Sequence, residues 1–430
     1  MKPIFALLAL AGLSTAAPNP QSTQDGLSER AAWPNGPFVT SGRWILDASG
    51  KNLTYAGTNW PGHADVMIPE GLQYQSIETI VQKVKSLGMN AVRLTFAIQM
   101  VDEIYANNGN DITIQKAFVQ ALGQANGTRV LNQMLAKNPR FSASTTRLQV
   151  FDAVAEELAK QQIYVHLDNH ISKGMWCCSD TDGNSWWGDT HFSTANWVRG
   201  LSYMANHGKS WPALTSIGLR NEPREPKNNP ALSRTSYNWQ AWYGYMRQGA
   251  DAVHAANPAL LIFLSGLSFD TYLTPVVQGT ALTPGSGRFS RADFSAGGGY
   301  GVDKLVLELH NYETGVGSCE TLKGNLDRNG FQALHSGNGV ANVFPVMMTE
   351  FGFQMDAQTW TGVYASCLAR YLPALKAGWT IWVLAGSYYV RSGTQDYDEG
   401  WGLLNHDWSA WRSQGYVDGA LKAMVRDTLS

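Results

Sequence analysis

The strongest constraint on this chain is a rhythm: eight short apolar runs alternate with longer amphipathic stretches along most of its length. The runs are Leu53–Thr58, Ala91–Thr95, Tyr164–Asp168, Ser216–Arg220, Leu261–Ser265, Leu305–Leu309, Val346–Thr349 and Thr380–Val383. Between them, stretches such as Ile77–Leu87, Leu148–Gln161, Trp239–Ala255 and Thr361–Ala377 carry the three-to-four spacing of helices with one apolar face. Strands separated by helices pair in parallel, because each helix carries the chain back to the same end of the sheet. No Gly-x-Gly-x-x-Gly turn follows any run, which argues against an open doubly wound sheet. The expectation is therefore an α/β chain forming one closed (β/α)8 TIM barrel with elaborated βα loops.

In such a barrel all strand C-termini open on one face, so residues that end the runs converge there although they are far apart in sequence. Arg93 sits on the second run, His170 follows the third, and Asn221 and Glu222 follow the fourth. His310 and Tyr312 follow the sixth, Glu350 follows the seventh, and Trp382 lies on the eighth. A lone strand-end glutamate is most often a salt-bridge partner or a helix cap. Two of them among polar neighbours suit another chemistry: retaining cleavage of a glycosidic bond takes one carboxylic acid and one carboxylate about 5–5.5 Å apart. Which glutamate plays which part stays open on residue types alone.

Composition fits a neutral ligand. Lys and Arg number 32 against 34 acids, a net charge of -2, which gives no electrostatic case for nucleic acid or an anionic membrane as a partner. Only 15% of residues are charged while 16 are Trp, and indole faces stack on the C–H faces of sugar rings. About half of those Trp are expected in the core.

The N-terminus reads as Lys2, the apolar run Ile4 to Leu13 and the small residues Ser14–Ala17, a secretory leader too short to span a bilayer. The expected organisation is a signal peptide over 1–17, a disordered lead-in or propeptide over 18–37 and a catalytic domain over 38–430. Within that domain, Phe38 to Tyr55 carries a hairpin pattern around Asp47–Gly50 that could close the barrel bottom. Secretion gives meaning to the sequons at Asn52 and Asn126, and makes disulfides expected among Cys177, Cys178, Cys319 and Cys367. Neighbouring Cys177 and Cys178 are expected to pair with distant cysteines rather than with each other. No metal and no cofactor are implied: Asp168 with His170, or His310 with Glu308, lacks a third ligand.

The run Leu219-Arg220-Asn221-Glu222-Pro223 resembles the Asn-Glu-Pro motif that carries the acid/base in glycoside hydrolase family 5, the cellulase-like family of clan A. Met348-Thr349-Glu350-Phe351-Gly352 is similar to the nucleophile motif of that family, and Arg93, His170, His310, Tyr312 and Trp382 match the rest of its active-site set. The resemblance covers roughly Phe38 to Trp411 and implies Glu222 as acid/base and Glu350 as nucleophile. It further implies that Arg93 and Tyr312 align the nucleophile, that His170, His310 and Asn221 contact sugar or carboxylates, and that Trp382 floors the reacting subsite. The loops Trp176–Asp180 with Asp182–Trp187, and Gly386–Gly393 with Trp401–Asn405, are similar to a branch shared by fungi and plants, implying a secreted fungal member. An open cleft floored by Trp60, Trp186, Trp187 and Trp382 would bind a β-1,4-glucan internally, the preferred expectation, in a monomer. The alternatives are a pocket enzyme releasing small sugars from chain ends and a non-catalytic carbohydrate-binding protein.

Overall fold

A computed structural model describes Met1 and residues 33–335, 337 and 339–430; the rest of the leader and the first part of the lead-in lie outside the described residues. Eight parallel strands close into a barrel: β1 (Ala56–Trp60), β2 (Ala91–Ala97), β3 (Tyr164–Ile171), β4 (Leu214–Gly218), β5 (Leu261–Ser265), β6 (Leu305–Asn311), β7 (Val346–Phe351) and β8 (Gly378–Ile381). β8 pairs with β1 through Trp379–Ala56, Thr380–Gly57 and Ile381–Thr58, which completes the ring. Every strand is buried almost throughout, as expected for a parallel sheet wrapped by helices. Each of the eight predicted runs overlaps one strand. The largest displacement is at β1, where Asn52–Leu53 instead joins the N-terminal sheet.

The helices follow from the apolar stripes. Ile77–Ser86 buries Ile77, Ile80, Val81 and Val84, and Ser76 caps it by accepting from the Thr79 amide, worth about 1 kcal/mol. Arg147–Lys160 opens on a capping box in which Thr146 and Gln149 satisfy each other's amides. Between β2 and that helix, three further helices, Ile98–Ala106, Ile114–Leu122 and Gln124–Lys137, widen the barrel wall. No helix among the described residues is long and apolar enough to cross a membrane.

At the N-terminal mouth the predicted hairpin is a three-stranded antiparallel sheet of Val39–Ser41, Trp44–Leu46 and Asn52–Leu53. Its turn is held by Asp47, whose carboxylate accepts from the amides of Ser49 and Lys51. Phe38, Ile45 and Tyr55 pack there with Ala91, Tyr164, Leu261, Phe263, Val306 and Met347. That cluster closes the bottom and leaves the opposite mouth for the site.

Candidate active site

The strand ends gather at the C-terminal mouth. Arg93 projects from β2; Asp168 and His170 from β3; His310 from β6; Glu350 from β7. His310 and Glu350 are register partners across the β6–β7 pair, where a local irregularity follows Met348. Asn221 and Glu222 lie beyond β4, guided by the Asn221 amide donating to the Asn169 carbonyl at 2.9 Å. Glu222 itself has φ 47°, a left-handed conformation uncommon outside glycine. A carboxylate oxygen of Glu222, one of Glu350 and a ring nitrogen of His310 all lie within 4.8 Å of one another.

The two carboxyls meet different surroundings. Glu350 accepts from Arg93 Nη1 at 2.6 Å and from the Tyr312 hydroxyl at 2.8 Å, so each oxygen has a donor. Among the described residues the Glu222 carboxyl has only His310 Nδ1, at 2.9 Å from Oε1. Burial pushes the Glu222 carboxyl from its ordinary range up to about 7, against the pull of Arg224 and Arg93. Burial also raises Glu350, and His310, Arg93 and the Tyr312 hydroxyl oppose it. One carboxyl is therefore built to keep a proton near neutrality and the other to have its charge matched.

Arg93 is the hub. It reaches Asn59 and Asn221 at 2.9 Å each and pairs with Asp168 at 3.0 Å, fully buried. Asp168 in turn accepts from His170 Nδ1 at 2.6 Å, which leaves His170 Nε2 toward the Asn221 amide at 3.5 Å. Trp382, directly after β8, stacks on His170 with ring centres 5.4 Å apart and planes 10° from parallel. Its bond to Val383 is a cis peptide.

A cleft of about 790 Å³ opens over this set, lined by Trp176, Trp382, Trp401, Tyr312 and both carboxyls. Trp60, Trp186 and Trp187 do not floor it; all three are fully buried. Trp60 donates to the Glu70 carbonyl, and Trp186 donates to Ser236 Oγ. Trp187 stacks on Tyr245 with centres 4.7 Å apart. The loop after β3 folds the Trp186 and Trp187 rings inward against the helices, where burying a large aromatic face outweighs leaving it in water. Trp176, Trp382 and Trp401 are the indoles left on the cleft.

The cysteine expectation is also corrected. Cys177 and Cys178 bond to each other across a cis peptide, and Cys319 bonds to Cys367. The two pairs belong to separate walls of the fold: the first sits on the cleft beside Asn221, the second ties the helix Cys319–Asn329 to the helix Val363–Leu375. Asn52 and Asn126 are both exposed.

Three groups were not singled out from sequence, and a fourth, Glu308, was weighed there only as a metal ligand. Asp270, behind β5, places Oδ2 3.5 Å from His310 Nε2, and burial and Glu308 raise its carboxyl well above the ordinary range. Glu308 accepts from Thr349 Oγ1 and is pushed by burial up to about 8. His63 packs on His170 with centres 3.9 Å apart, and Arg224 ties the Glu222 carbonyl to Asp182. Asp270, His63 and Arg224 lie on loops that no apolar run flags. For Glu308, its place one turn of the pleat before His310 was the available signal.

Donor clusters for a metal do not fit one. Cys177 and Cys178 are tied up as a disulfide beside His170, and both nitrogens of His310 are engaged, by Glu222 and Thr349.

Residues 46–387 match the family model described as cellulase (glycosyl hydrolase family 5). A glycosyl hydrolase 5 family protein of Chamaecyparis obtusa is 33% identical over 396 residues, 89% of this chain and 65% of that protein, so the chain spans about two thirds of that relative's length. An endoglucanase of Paenibacillus polymyxa is 24% identical over 90% of this chain and 86% of its own. Among solved structures, the catalytic domain of the major endoglucanase from Xanthomonas campestris pv. campestris superposes with a TM-score of 0.63 at 21% identity, covering 91% of this chain and 99% of its own. A cellotetraose complex of an endocellulase from Pyrococcus horikoshii gives 0.65 at 17% identity, over 91% and 98%. At such identities the structural likeness speaks for the barrel.

Proposed function

We propose that this chain, which belongs to the cellulase family of glycosyl hydrolases, family 5, cleaves β-1,4-glucan by double displacement with Glu350 as nucleophile and Glu222 as acid/base. The observation that carries the reading is the unlike surroundings of two carboxyls whose oxygens come within 4.8 Å. That spacing suits retention, in which the nucleophile attacks directly and no water needs to fit between. Arg93 and Tyr312 keep Glu350 aligned for attack on the anomeric carbon, while Glu222 retains its proton up to about pH 7 and gives it to the leaving oxygen. Once Glu350 is esterified its charge is gone, the Glu222 carboxyl becomes easier to ionise, and it takes a proton from the attacking water. Trp382 under the site, with Trp176 and Trp401 along the cleft, offers the faces on which glucose rings stack. The leader Met1–Ala17 and the two disulfides support action outside the cell.

Glu350→Ala should abolish turnover, with azide restoring part of it as the inverted glycosyl azide. Glu222→Ala should spare aryl glycosides with activated leaving groups, which need little protonation, and lose glucan cleavage; equal loss on both substrates would remove the acid role. A second reading rests on the hairpin Ser387–Arg391/Thr394–Asp398, which walls the cleft with Arg391, Tyr397 and Asp398. It would make the site a pocket acting from chain ends. Product profiles on carboxymethyl cellulose and cello-oligosaccharides separate the two: internal cuts support the cleft, and release of small sugars alone supports the pocket.

A further inference from the structure

Resting on the assignment of Glu222 as acid/base, we propose that Glu308 is a positioning residue that keeps Glu222 in its protonated form through a hydrogen-bonded chain across Thr349 and His310. Thr349 Oγ1 lies 2.9 Å from Glu308 Oε2 and 3.1 Å from His310 Nε2, and His310 Nδ1 lies 2.9 Å from Glu222 Oε1. A hydroxyl has a single proton to give. Given to Glu308, it leaves the Thr349 oxygen able only to accept from His310, so the imidazole proton belongs on Nε2. Asp270 Oδ2 lies 3.5 Å from the same nitrogen. Burial holds the ring neutral, pushing it down to about 4. The nitrogen that faces Glu222 is therefore a bare lone pair. Two acceptors do not stand 2.9 Å apart unless a proton lies between them, and only Glu222 can supply it.

Glu308 keeps this polarity because its own proton has a better place. Oε1 of Glu308 has no hydrogen-bond partner among the described residues, and it borders the space that Gly218 leaves open together with His166 Nε2 and with Asp168 Oδ1, whose one close contact is the 3.0 Å ion pair to Arg93. A proton on Oε1 points into that space, and Oε2 stays an acceptor for Thr349. The other charged and titratable groups around the chain are Arg93 from β2, His166 from β3, Arg224 beyond β4, Tyr312 beyond β6 and Glu350 from β7. Arg93 and Tyr312 reach Glu350, Arg224 holds the Glu222 carbonyl, and among the described residues none of these side chains is hydrogen-bonded to the Thr349 hydroxyl. That hydroxyl is the link through which Glu308 acts.

The first test is the tautomer itself, read by nitrogen NMR on the histidine-labelled full chain, with His310 assigned by its loss in His310→Gln. A ring protonated at Nε2 and bare at Nδ1 at pH 5 is expected; protonation at Nδ1 at that pH would overturn the proposal. Thr349→Val keeps the shape and cuts the link, freeing the ring to turn over and donate to an ionised Glu222. In glutamate-labelled protein the Glu222 carboxyl should then titrate about one pH unit lower, while Thr349→Ser keeps the wild-type value. An unmoved titration in Thr349→Val, or an equal shift in Thr349→Ser, would also overturn it. Neither readout needs a substrate, so a chain that cleaves no glucan defeats the functional reading without touching this one.

Discussion

The two mouths of the barrel are built from the same eight strands and solve opposite problems. At the N-terminal mouth Phe38, Ile45, Tyr55, Tyr164 and Phe263 pack into an apolar plug, with Phe38 and Tyr55 edge to face on Tyr164, and Lys304 donates to the Phe38 carbonyl. At the C-terminal mouth the same strands present Arg93, Asp168, His170, Glu308, His310 and Glu350, all buried, and an oxygen each of Asp270 and Glu308 has no hydrogen-bond partner among the described residues. Burying charge costs several kcal/mol per group unless partners return it, whereas burying an aromatic ring is favourable outright. One end holds the barrel together and the other spends part of that stability on placing charge.

If this division is real, substitutions at the two ends should separate activity from stability. The largest effect is expected at Arg93→Met, which leaves Asp168 and Glu350 buried without their shared cation. Breaking a buried pair from one side costs about 3–5 kcal/mol of folding stability, so the thermal midpoint should fall, and kcat/KM should fall as well because Glu350 loses the donor that aligns it. An active Arg93→Met enzyme would break the comparison. Next comes Phe38→Ala at the plug, which should cost about 3–4 kcal/mol in denaturant unfolding and leave kcat and KM unchanged at temperatures where the variant is folded. A changed KM in that variant would mean that the ends are mechanically coupled.

The barrel and the gathering at its upper mouth were legible because both follow from strand ends. Eight apolar runs fix where the chain turns over, and the polar residues that close them, Arg93, His170, Asn221, Glu222, His310, Tyr312, Glu350 and Trp382, can only point to one face. Loops carry no such rule. Trp186 and Trp187 are as aromatic as Trp176, a few residues earlier in the same loop, and which of them meets solvent depends on whether Tyr245 and Trp197 lie beneath. The pairing of Cys177 with Cys178 likewise depends on a loop path that no periodicity encodes. Asp270 was hidden for a related reason: it follows Ser268 and Phe269, all three in left-handed conformations, on a segment that turns back under His310.

The smallest of these effects is the most direct measure of what the site costs. Glu222 has its carboxyl raised to about 7 in the folded chain against 4.5 for the free side chain, chiefly by burial. A raised value means that the folded state binds the proton more tightly than the unfolded one. Its stabilising contribution is complete below pH 4.5 and is lost as pH rises through 7. The loss is at most about 3 kcal/mol, from 1.36 kcal/mol per unit. Glu222→Gln carries no charge at any pH and should escape it, so the variant should gain on wild type steadily between pH 4.5 and 7 and then hold its lead. Urea unfolding of both proteins at pH 4, 6 and 8 measures this. A constant difference across that range would mean that the carboxyl is solvated after all, and that the upper mouth is no more expensive to fold than the lower one.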